Sequence, residues 1–230
     1  MGRRGVTAGS VAADASPTPM TAGQPGAKTH TERIGVLGGT FDPPHIGHLW
    51  LATVAADELG LSRVLLVPAA NPPHKRRRSI SHAADRVLMT RLAIANDPRL
   101  DVSLVEFERE GPSYTVDTLV ELQRRQPEAD LVLVMAADSL RQIDTWREPD
   151  RLLELASWGV GPRTGTRMPS RARLTRRFGA AADRIHFLGR PALDVSATDI
   201  RRRVAAGRAI RYLVPRAVED LILERRLYQP

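Results

Sequence analysis

The stretch of sequence that decides the fold is RIGVLGGTFDPPHIGHLW, residues 33–50. Its first seven residues form an apolar run that ends in glycines, which is typical of a buried parallel strand. The Pro-Pro pair stiffens the chain and blocks helix continuation from behind. Helical spacing follows, so the stretch predicts a strand, a stiff loop and a helix that begins near His45 or Ile46.

The same alternation of apolar strands and helices continues along the chain. The later strands are predicted at 63–69, 100–108, 130–137, 157–161 and 184–189, and the later helices at 85–96, 116–126, 150–156, 197–207 and 215–227. Strands that alternate with helices form a parallel sheet with right-handed crossovers. The predicted fold class is therefore α/β, a doubly wound parallel sheet, with ligands bound outside the carboxyl ends of its strands.

The composition excludes several classes of protein. Hydrophobic residues make up 42% of the chain and charged residues 26%, which is typical of a globular domain. The chain has no cysteine, which excludes a disulfide framework, a thiolate nucleophile and a cysteine–zinc site. No apolar run approaches the roughly 18 residues that a membrane span needs. We therefore expect neither a membrane partner nor a transmembrane helix, and a cytoplasmic location.

The charge balance indicates anionic partners. Lys and Arg number 34 against 26 Asp and Glu, a formal net charge of +8. Such a balance favours phosphates, nucleotides or nucleic acid. Few aromatic residues lie among the basic clusters, so a stacking platform for single-stranded nucleic acid is poorly supported.

The first 32 residues differ from the rest. They are rich in Ala, Thr, Gly, Pro and Ser and have no hydrophobic periodicity. This composition predicts a disordered tail over 1–32. Residues 33–230 are predicted to form a single domain.

The loop after the first strand has the features of an anion site. Gly38 and Gly39 lack Cβ atoms, which lets a bulky group approach the backbone. The start of the next helix presents free N–H groups and the positive end of its dipole. His45 and His48 are three residues apart and, if helical, project from one face with Gly47 between them. Together these groups predict a clamp for a polyphosphate.

Other interpretations of this loop exist. The glycine pair is also compatible with a simple tight turn. The spacing matches neither the dinucleotide-binding G-x-G-x-x-G pattern nor the P-loop. Two histidines can bind zinc, but the zincin helix needs H-E-x-x-H and a further ligand. Packed, uncharged histidines are a further alternative.

Two signatures resemble those of a known superfamily. GTFDPPHIGH at 39–48 and VSATDIR at 195–201 are similar to the paired signatures of the H-x-G-H nucleotidyltransferases. Between them, NPPHK, GPSYTVDTL and DSLRQIDTW resemble bacterial nicotinate-nucleotide adenylyltransferases, as does IRYLVPRAVEDLI near the end. The resemblance extends from about residue 33 to residue 228. It implies a Rossmann-like nucleotidyltransferase fold.

The resemblance also implies an activity. Such enzymes transfer AMP from ATP to nicotinic acid mononucleotide and form deamido-NAD and pyrophosphate in NAD biosynthesis. ATP is then a co-substrate, and Mg²⁺ is carried by its phosphates without metal ligands from the protein. The expected partners are ATP and nicotinic acid mononucleotide, with no nucleic acid, and the sequence leaves the oligomeric state open.

The resemblance assigns roles to particular residues. The catalytic ones are His45, His48 and Arg201. ATP is expected to contact these three residues together with Gly38, Gly39, Thr40, Phe41, Asp138, Ser196 and Thr198. The mononucleotide is expected to contact Thr40, Lys75, Tyr114, Thr115, Trp146 and Arg163.

Some assigned residues have simpler interpretations. Ser196 and Thr198 open a predicted helix, where hydroxyls commonly act only as caps. Lys75 is also compatible with an exposed lysine, and Trp146 with a core position. Ala136 stands where the family usually has glycine, and a Cβ there crowds a ligand close to the backbone. In place of the family's Arg-Pro-Gly this chain has PRTG, in which Arg163 is aligned with the family arginine.

Acid specificity is predicted from one helix start. Ser113 to Thr115 precede and begin a predicted helix, whose free N–H groups favour a nicotinate carboxylate. One alternative function is an amide-preferring nicotinamide mononucleotide adenylyltransferase. Another is an Arg-rich nucleic-acid-binding protein on a degenerate nucleotide fold.

Overall fold

The computed structural model describes residue 2 and residues 31–72, 80–189 and 192–229. The six strands in this part of the chain are β1 (Arg33–Gly39), β2 (Arg63–Pro68), β3 (Leu100–Val102), β4 (Asp130–Ala136), β5 (Ser157–Gly161) and β6 (Ile185–Phe187). The α-helices are α1 (Ile46–Leu59), α2 (Ala83–Ile94), α3 (Thr115–Arg125), α4 (Ala137–Arg141), α5 (Pro149–Leu155), α6 (Arg171–Phe178), α7 (Ala197–Ala205) and α8 (Arg216–Glu224). Two 3₁₀ turns cover Ile143–Thr145 and Gly179–Arg184.

The strands form one parallel sheet in the order β3-β2-β1-β4-β5-β6. Val36 of β1 lies between Leu65 of β2 and Leu133 of β4. The order runs outward in both directions from the β1–β4 pair, so the chain changes direction at this pair. This is the doubly wound arrangement predicted from the sequence, which is confirmed.

Alternate residues of each strand pack on opposite faces of the sheet. In β4, Leu131 and Leu133 join the cluster beneath α3, α5 and α6, whereas Val132 and Val134 join the cluster beneath α1. Both faces are apolar, which is why the strands are nearly continuous hydrophobic runs in the sequence. A third cluster, among α2, α7 and α8, lies around Met89.

The third strand is shorter than predicted. β3 ends at Val102, and the last ladder bond runs from the Ser103 N–H to the carbonyl of Leu66 at 3.0 Å. The chain then turns, with the Phe107 N–H donating to the carbonyl of Leu104. The prediction of a strand to residue 108 was wrong because a turn that buries Glu106 interrupts the apolar pattern.

The sequence also failed to predict α6. Only Leu174 of this helix is buried, so its arginines dominate the pattern and the apolar period is too weak to recognise. None of the helices in the described ranges is long and apolar enough to cross a membrane.

Candidate active site

A cavity of about 630 Å³ opens at the carboxyl edge of the sheet. The ends of β1, β4 and β5 contribute Gly38, Ala136 and Gly161 to its wall. Because the strand order changes direction between β1 and β4, this crevice is where doubly wound sheets bind their ligands. The cavity is therefore the candidate active site.

Most of the site residues predicted from the sequence line this cavity. They are Gly38, Gly39, Thr40, His45, His48, Tyr114, Thr115, Asp138, Trp146, Arg163, Ser196 and Thr198. Phe41 and Arg201 do not line it, although each contacts a residue that does. Lys75 lies outside the described residues.

His45 and His48 form a stacked pair at the start of α1. His45 is the extended residue before the helix, and its ring lies 3.7 Å from the ring of His48, centroid to centroid, at 26°. The backbone N–H of His45 donates to Nδ1 of His48 at 3.2 Å. An Nδ1 that accepts a hydrogen bond is unprotonated, so neutral His48 carries its proton on Nε2. The pair therefore presents a fixed N–H donor.

Burial keeps His45 uncharged. Its side chain is almost wholly buried, and burial, helped by the positive charge of Arg163, lowers its pKa to about 4. Arg163 itself lines the cavity and donates from Nη1 to the carbonyl of Val195 at 3.1 Å. At neutral pH the histidine is thus a neutral group beside an arginine cation.

Gly47 leaves room for the ring of His45. A Cβ at this position comes within 3.1 Å of Nδ1 and 3.2 Å of Cε1 of that ring. Such approaches are closer than ordinary van der Waals contact, so a side chain here displaces the imidazole. Nδ1 of His45 is buried and has no hydrogen-bond partner in the described part of the chain.

Phe41 supports the histidines from below instead of lining the cavity. Its ring meets that of His48 edge-to-face, with 5.0 Å between centroids, and is fully buried. A Cβ on Gly39 comes within 2.9 Å of the Phe41 ring, so glycine is required for this packing. The backbone φ of Phe41 is 49°, which is unusual for a bulky residue.

The start of α7 forms the opposite wall. Ser196 caps the helix, and its Oγ accepts from the Asp199 N–H at 3.2 Å. Thr198 accepts from Nη2 of Arg201 at 3.3 Å, while Nη1 of the same arginine donates to the carbonyl of Asp42 at 2.6 Å. Arg201 therefore links the α7 start to the loop that precedes α1.

The start of α3 forms an aromatic end of the cavity with Trp146. The N–H groups of Ser113 and Tyr114 are already bonded, to the carbonyls of Asn71 and Pro112. The expectation of a free N–H at Ser113 was wrong, because the preceding loop bends back onto the segment after β2. The Tyr114 N–H is occupied by a carbonyl of its own loop. The donors that remain belong to the first turn of α3, beginning with Thr115.

Sequence reasoning did not predict several of the lining residues, and three of them carry polar or aromatic side chains of interest. Trp50 lies on α1, Glu106 follows β3, and Arg147 follows Trp146. The Arg147 guanidinium lies 4.9 Å from the centroid of the Tyr114 ring. Adjacency to a predicted site residue was the available signal for Arg147, whereas Glu106 had none in the local sequence.

Glu106 links α3 to the segment after β2 at the aromatic end of the cavity. Its carboxylate accepts from the hydroxyl of Thr118 at 2.7 Å and from the N–H of Ala70 at 3.3 Å. Asn71 donates from its side chain to the carbonyl of Gly111 and from its backbone to the hydroxyl of Ser113, both at 3.0 Å. These bonds join the segment after β2 to the segment before α3.

The cytidylyltransferase-like family model matches residues 36–203. With the sheet order and the histidine pair described above, this match defines a nucleotidyltransferase of the cytidylyltransferase-like class. The chain is 47% identical over 197 residues to a protein of Thermomicrobium roseum. The aligned region covers 86% of this chain and 92% of that protein. It is also 44% identical over 197 residues to a protein of Thermus thermophilus. That aligned region covers 86% of this chain and 100% of the relative.

Both relatives carry the name "Probable nicotinate-nucleotide adenylyltransferase". The chain therefore belongs to the nicotinate-nucleotide adenylyltransferase family. A solved structure of Plasmodium falciparum nicotinic acid mononucleotide adenylyltransferase, complexed with NaAD, superposes with a TM-score of 0.72. It is 17% identical and covers 86% of this chain and 97% of that one, so it supports the fold alone.

Proposed function

We propose that this protein transfers AMP from ATP to nicotinic acid mononucleotide, releasing pyrophosphate and forming deamido-NAD. One observation carries the proposal: the stacked His45–His48 pair and the start of α7 line the same cavity. Two helix starts and imidazole donors that converge on one space suit a triphosphate. The aromatic end of the cavity, at Tyr114 and Trp146, suits a nicotinate ring.

The reaction needs no nucleophile from the protein. An oxygen of the mononucleotide phosphate attacks the α-phosphorus of ATP, and the bond between that phosphorus and the bridging oxygen to the β-phosphorus breaks. Pyrophosphate leaves with the electron pair of the broken bond. The protein must align two anions and neutralise the charge that develops on the bridging and leaving oxygens.

The histidines are assigned to the ATP phosphates. His48, with its proton on Nε2, donates to a phosphate oxygen as charge develops, and His45 lies beside it as a neutral ring. Gly38, Gly39 and Thr40 provide backbone contacts along the phosphate path. Phe41 acts by supporting the ring of His48.

The start of α7 is assigned to the leaving pyrophosphate. Ser196 and Thr198 bring hydroxyls and helix N–H groups to the cavity wall. Arg201 supplies positive charge from behind Thr198. Asp138, at the end of β4, is assigned to ATP.

The mononucleotide is assigned to the aromatic end. Trp146 and Tyr114 enclose the nicotinate ring, Thr115 donates to its carboxylate, and Arg163 faces the mononucleotide from beside His45. Lys75 is assigned to the mononucleotide phosphate.

Mg²⁺ is proposed to enter on the triphosphate. The carboxylates that line the cavity, Glu106 and Asp138, belong to separate elements. Within the described ranges no three His, Cys, Asp or Glu side chains are grouped to hold a metal ion. Held by the phosphates, the ion neutralises negative charge on the oxygens of ATP. The protein's own donors then orient the phosphate chain and add to this neutralisation.

We place the enzyme in the cytoplasm with its substrate ATP.

The decisive assay mixes the protein with ATP, Mg²⁺ and nicotinic acid mononucleotide and measures pyrophosphate and the dinucleotide. Equal amounts of the two products support adenylyl transfer. Absence of turnover, together with steeply salt-dependent binding to DNA or RNA, supports the nucleic-acid-binding alternative instead.

A further inference from the structure

Tyr228, in the segment after α8, reaches the loop that carries the histidine pair. Its hydroxyl donates to Oδ1 of Asp42 at 2.7 Å, across 186 positions of sequence. Asp42 is buried, and the Tyr228 ring packs against the cluster formed by α2, α7 and α8. A segment remote in sequence is thus bonded directly to the loop before α1.

Asp42 is the point at which three segments meet. Besides the bond from Tyr228, its Oδ2 accepts from the N–H of Ser81 at 3.4 Å. Its backbone carbonyl accepts from Nη1 of Arg201 at 2.6 Å. The position of Asp42 therefore sets both the loop and the guanidinium that reaches the α7 start.

A buried arginine links the loop before α1 to the segment that carries Ser81. Arg86 donates from Nη1 to the carbonyl of Thr40 at 2.9 Å and from Nε to the carbonyl of Ser81 at 3.2 Å. Both Phe41 and Tyr228, at the two ends of the network, have positive φ values, 49° and 63°. Such angles are uncommon for bulky residues.

The hydroxyl of Tyr228 is kept as a donor. Burial, and then the nearby negative charge of Asp42, raise the pKa of Tyr228 well above its usual value. The phenol is therefore neutral at neutral pH. Its single proton lies toward the Asp42 carboxylate.

We propose that Tyr228 is a positioning residue for adenylyl transfer, acting through Asp42 on the histidine pair and Arg201. Phe41 precedes Asp42 in the chain and packs its ring against that of His48. A shift of Asp42 is therefore passed through Phe41 to the imidazole of His48. The same shift releases Arg201 from its backbone acceptor. This inference rests on the proposed function.

The test is Tyr228→Phe, with Tyr212→Phe as the matched control. Tyr228→Phe removes one hydroxyl and leaves the packed ring, whereas Tyr212 is 83% exposed and does not line the cavity. We expect Tyr228→Phe to lower kcat about tenfold, the scale of one unpaired buried acceptor. KM for the mononucleotide is expected to stay within about twofold, because the network lies under the phosphate end of the cavity. Tyr212→Phe is expected to match the wild type.

A second variant separates positioning from general stability. In an Asp42→Ala protein, adding Tyr228→Phe is expected to change kcat less than about twofold, since the two side chains act as one unit. All rates are measured well below each protein's melting temperature. If Asp42→Ala does not fold, Tyr228→Phe alone decides.

The outcomes separate this inference from the proposed function. A wild-type kcat in folded Tyr228→Phe, with active wild-type enzyme, overturns the positioning role only. A lowered melting temperature with unchanged kcat has the same meaning, because it shows a purely structural contact. A wild type that forms no pyrophosphate overturns both.

Discussion

The backbone N–H of His45 donates to Nδ1 of His48, so one residue of the pair fixes the tautomer of the other. The proton of neutral His48 then lies on Nε2. The device depends on the chain leaving the extended conformation at His45 and entering α1 at the next residue.

His48→Ala is expected to lower kcat by roughly 10²–10³-fold, the scale of losing one preorganised donor. The melting temperature is expected to change little, since the ring lies at the cavity wall. Steady-state pyrophosphate release measures the effect, and His82→Ala, at an exposed position outside the cavity, is the control. A near-normal kcat, or loss of the folded state, contradicts the assignment.

Gly47→Ala is expected to lower kcat without lowering stability in proportion. The added methyl group displaces the ring of His45, which it meets at 3.1 Å. Alanine is a better helix former than glycine by up to about 1 kcal/mol, which offsets part of that strain. The melting temperature is then expected to move by no more than about 2–4 °C.

Gly189→Ala is the control for this substitution, since its nearest new contact is 3.9 Å away, at Glu58. Wild-type kinetics in Gly47→Ala indicate that the position of the His45 ring is unimportant for the reaction.

His45 is expected to make stability depend on pH. Its pKa is about 4 in the folded protein and about 6.5 for an unperturbed histidine. Between these values only the unfolded chain binds the proton. The free energy of unfolding therefore falls as the pH falls from about 6.5 to 4, by up to about 1.4 kcal/mol per pH unit.

Urea unfolding at several pH values tests this dependence. His45→Gln lacks the titrating group. As the pH is lowered, the free energy of unfolding is therefore expected to fall more for the wild type than for the variant. His82→Gln, at an exposed position, is the matched control. Parallel pH curves for wild type and His45→Gln contradict the burial of a neutral ring.

The features that could be predicted from the sequence are those that depend on residues close together in the chain. The strand, loop and helix at 33–59 form one local unit, so their glycines, prolines and histidines indicated both the structure and the chemistry. Contacts between distant residues were not predictable in this way. The bond from Tyr228 to Asp42 spans 186 positions, and no local pattern marks either residue as its partner.

Two local arrangements were not predictable from the sequence. Phe41 was predicted to line the phosphate path with backbone groups, and its ring lies under that loop because Gly39 leaves space there. Ser113 was expected to offer a free N–H, but the carbonyl of Asn71 occupies it. The Ser113 bond is a contact between two segments, whereas the place of the Phe41 ring depends on the missing side chain of Gly39 in the same loop.

Removal of residues 1–30 is expected to leave kcat/KM and the melting temperature unchanged, since we propose that residues before the sheet carry no part of the site. The cut is placed after residue 30 because Glu32 is bonded within the domain. Its carbonyl accepts from the N–H of Asp130 at 2.9 Å. Activity and thermal unfolding of the shortened protein are the measurements, and a large loss in either contradicts the proposal.

We propose that the choice between acid and amide depends on the first turn of α3. The positive end of the helix dipole and Thr115 face the cavity, and Arg147 lies over the Tyr114 ring. Asp117 in the same turn is offset by Arg109 at 3.6 Å and Arg147 at 3.8 Å. A carboxylate satisfies these donors, whereas an amide turns an NH₂ group toward one of them.

Paired kcat/KM values for nicotinic acid mononucleotide and its amide, measured with ATP, test the central claim most directly. An unpaired donor costs about 1–3 kcal/mol, which is roughly 5- to 150-fold in kcat/KM. We expect the acid to be preferred by at least about tenfold on that scale. Equal values, or a preference for the amide, contradict the account.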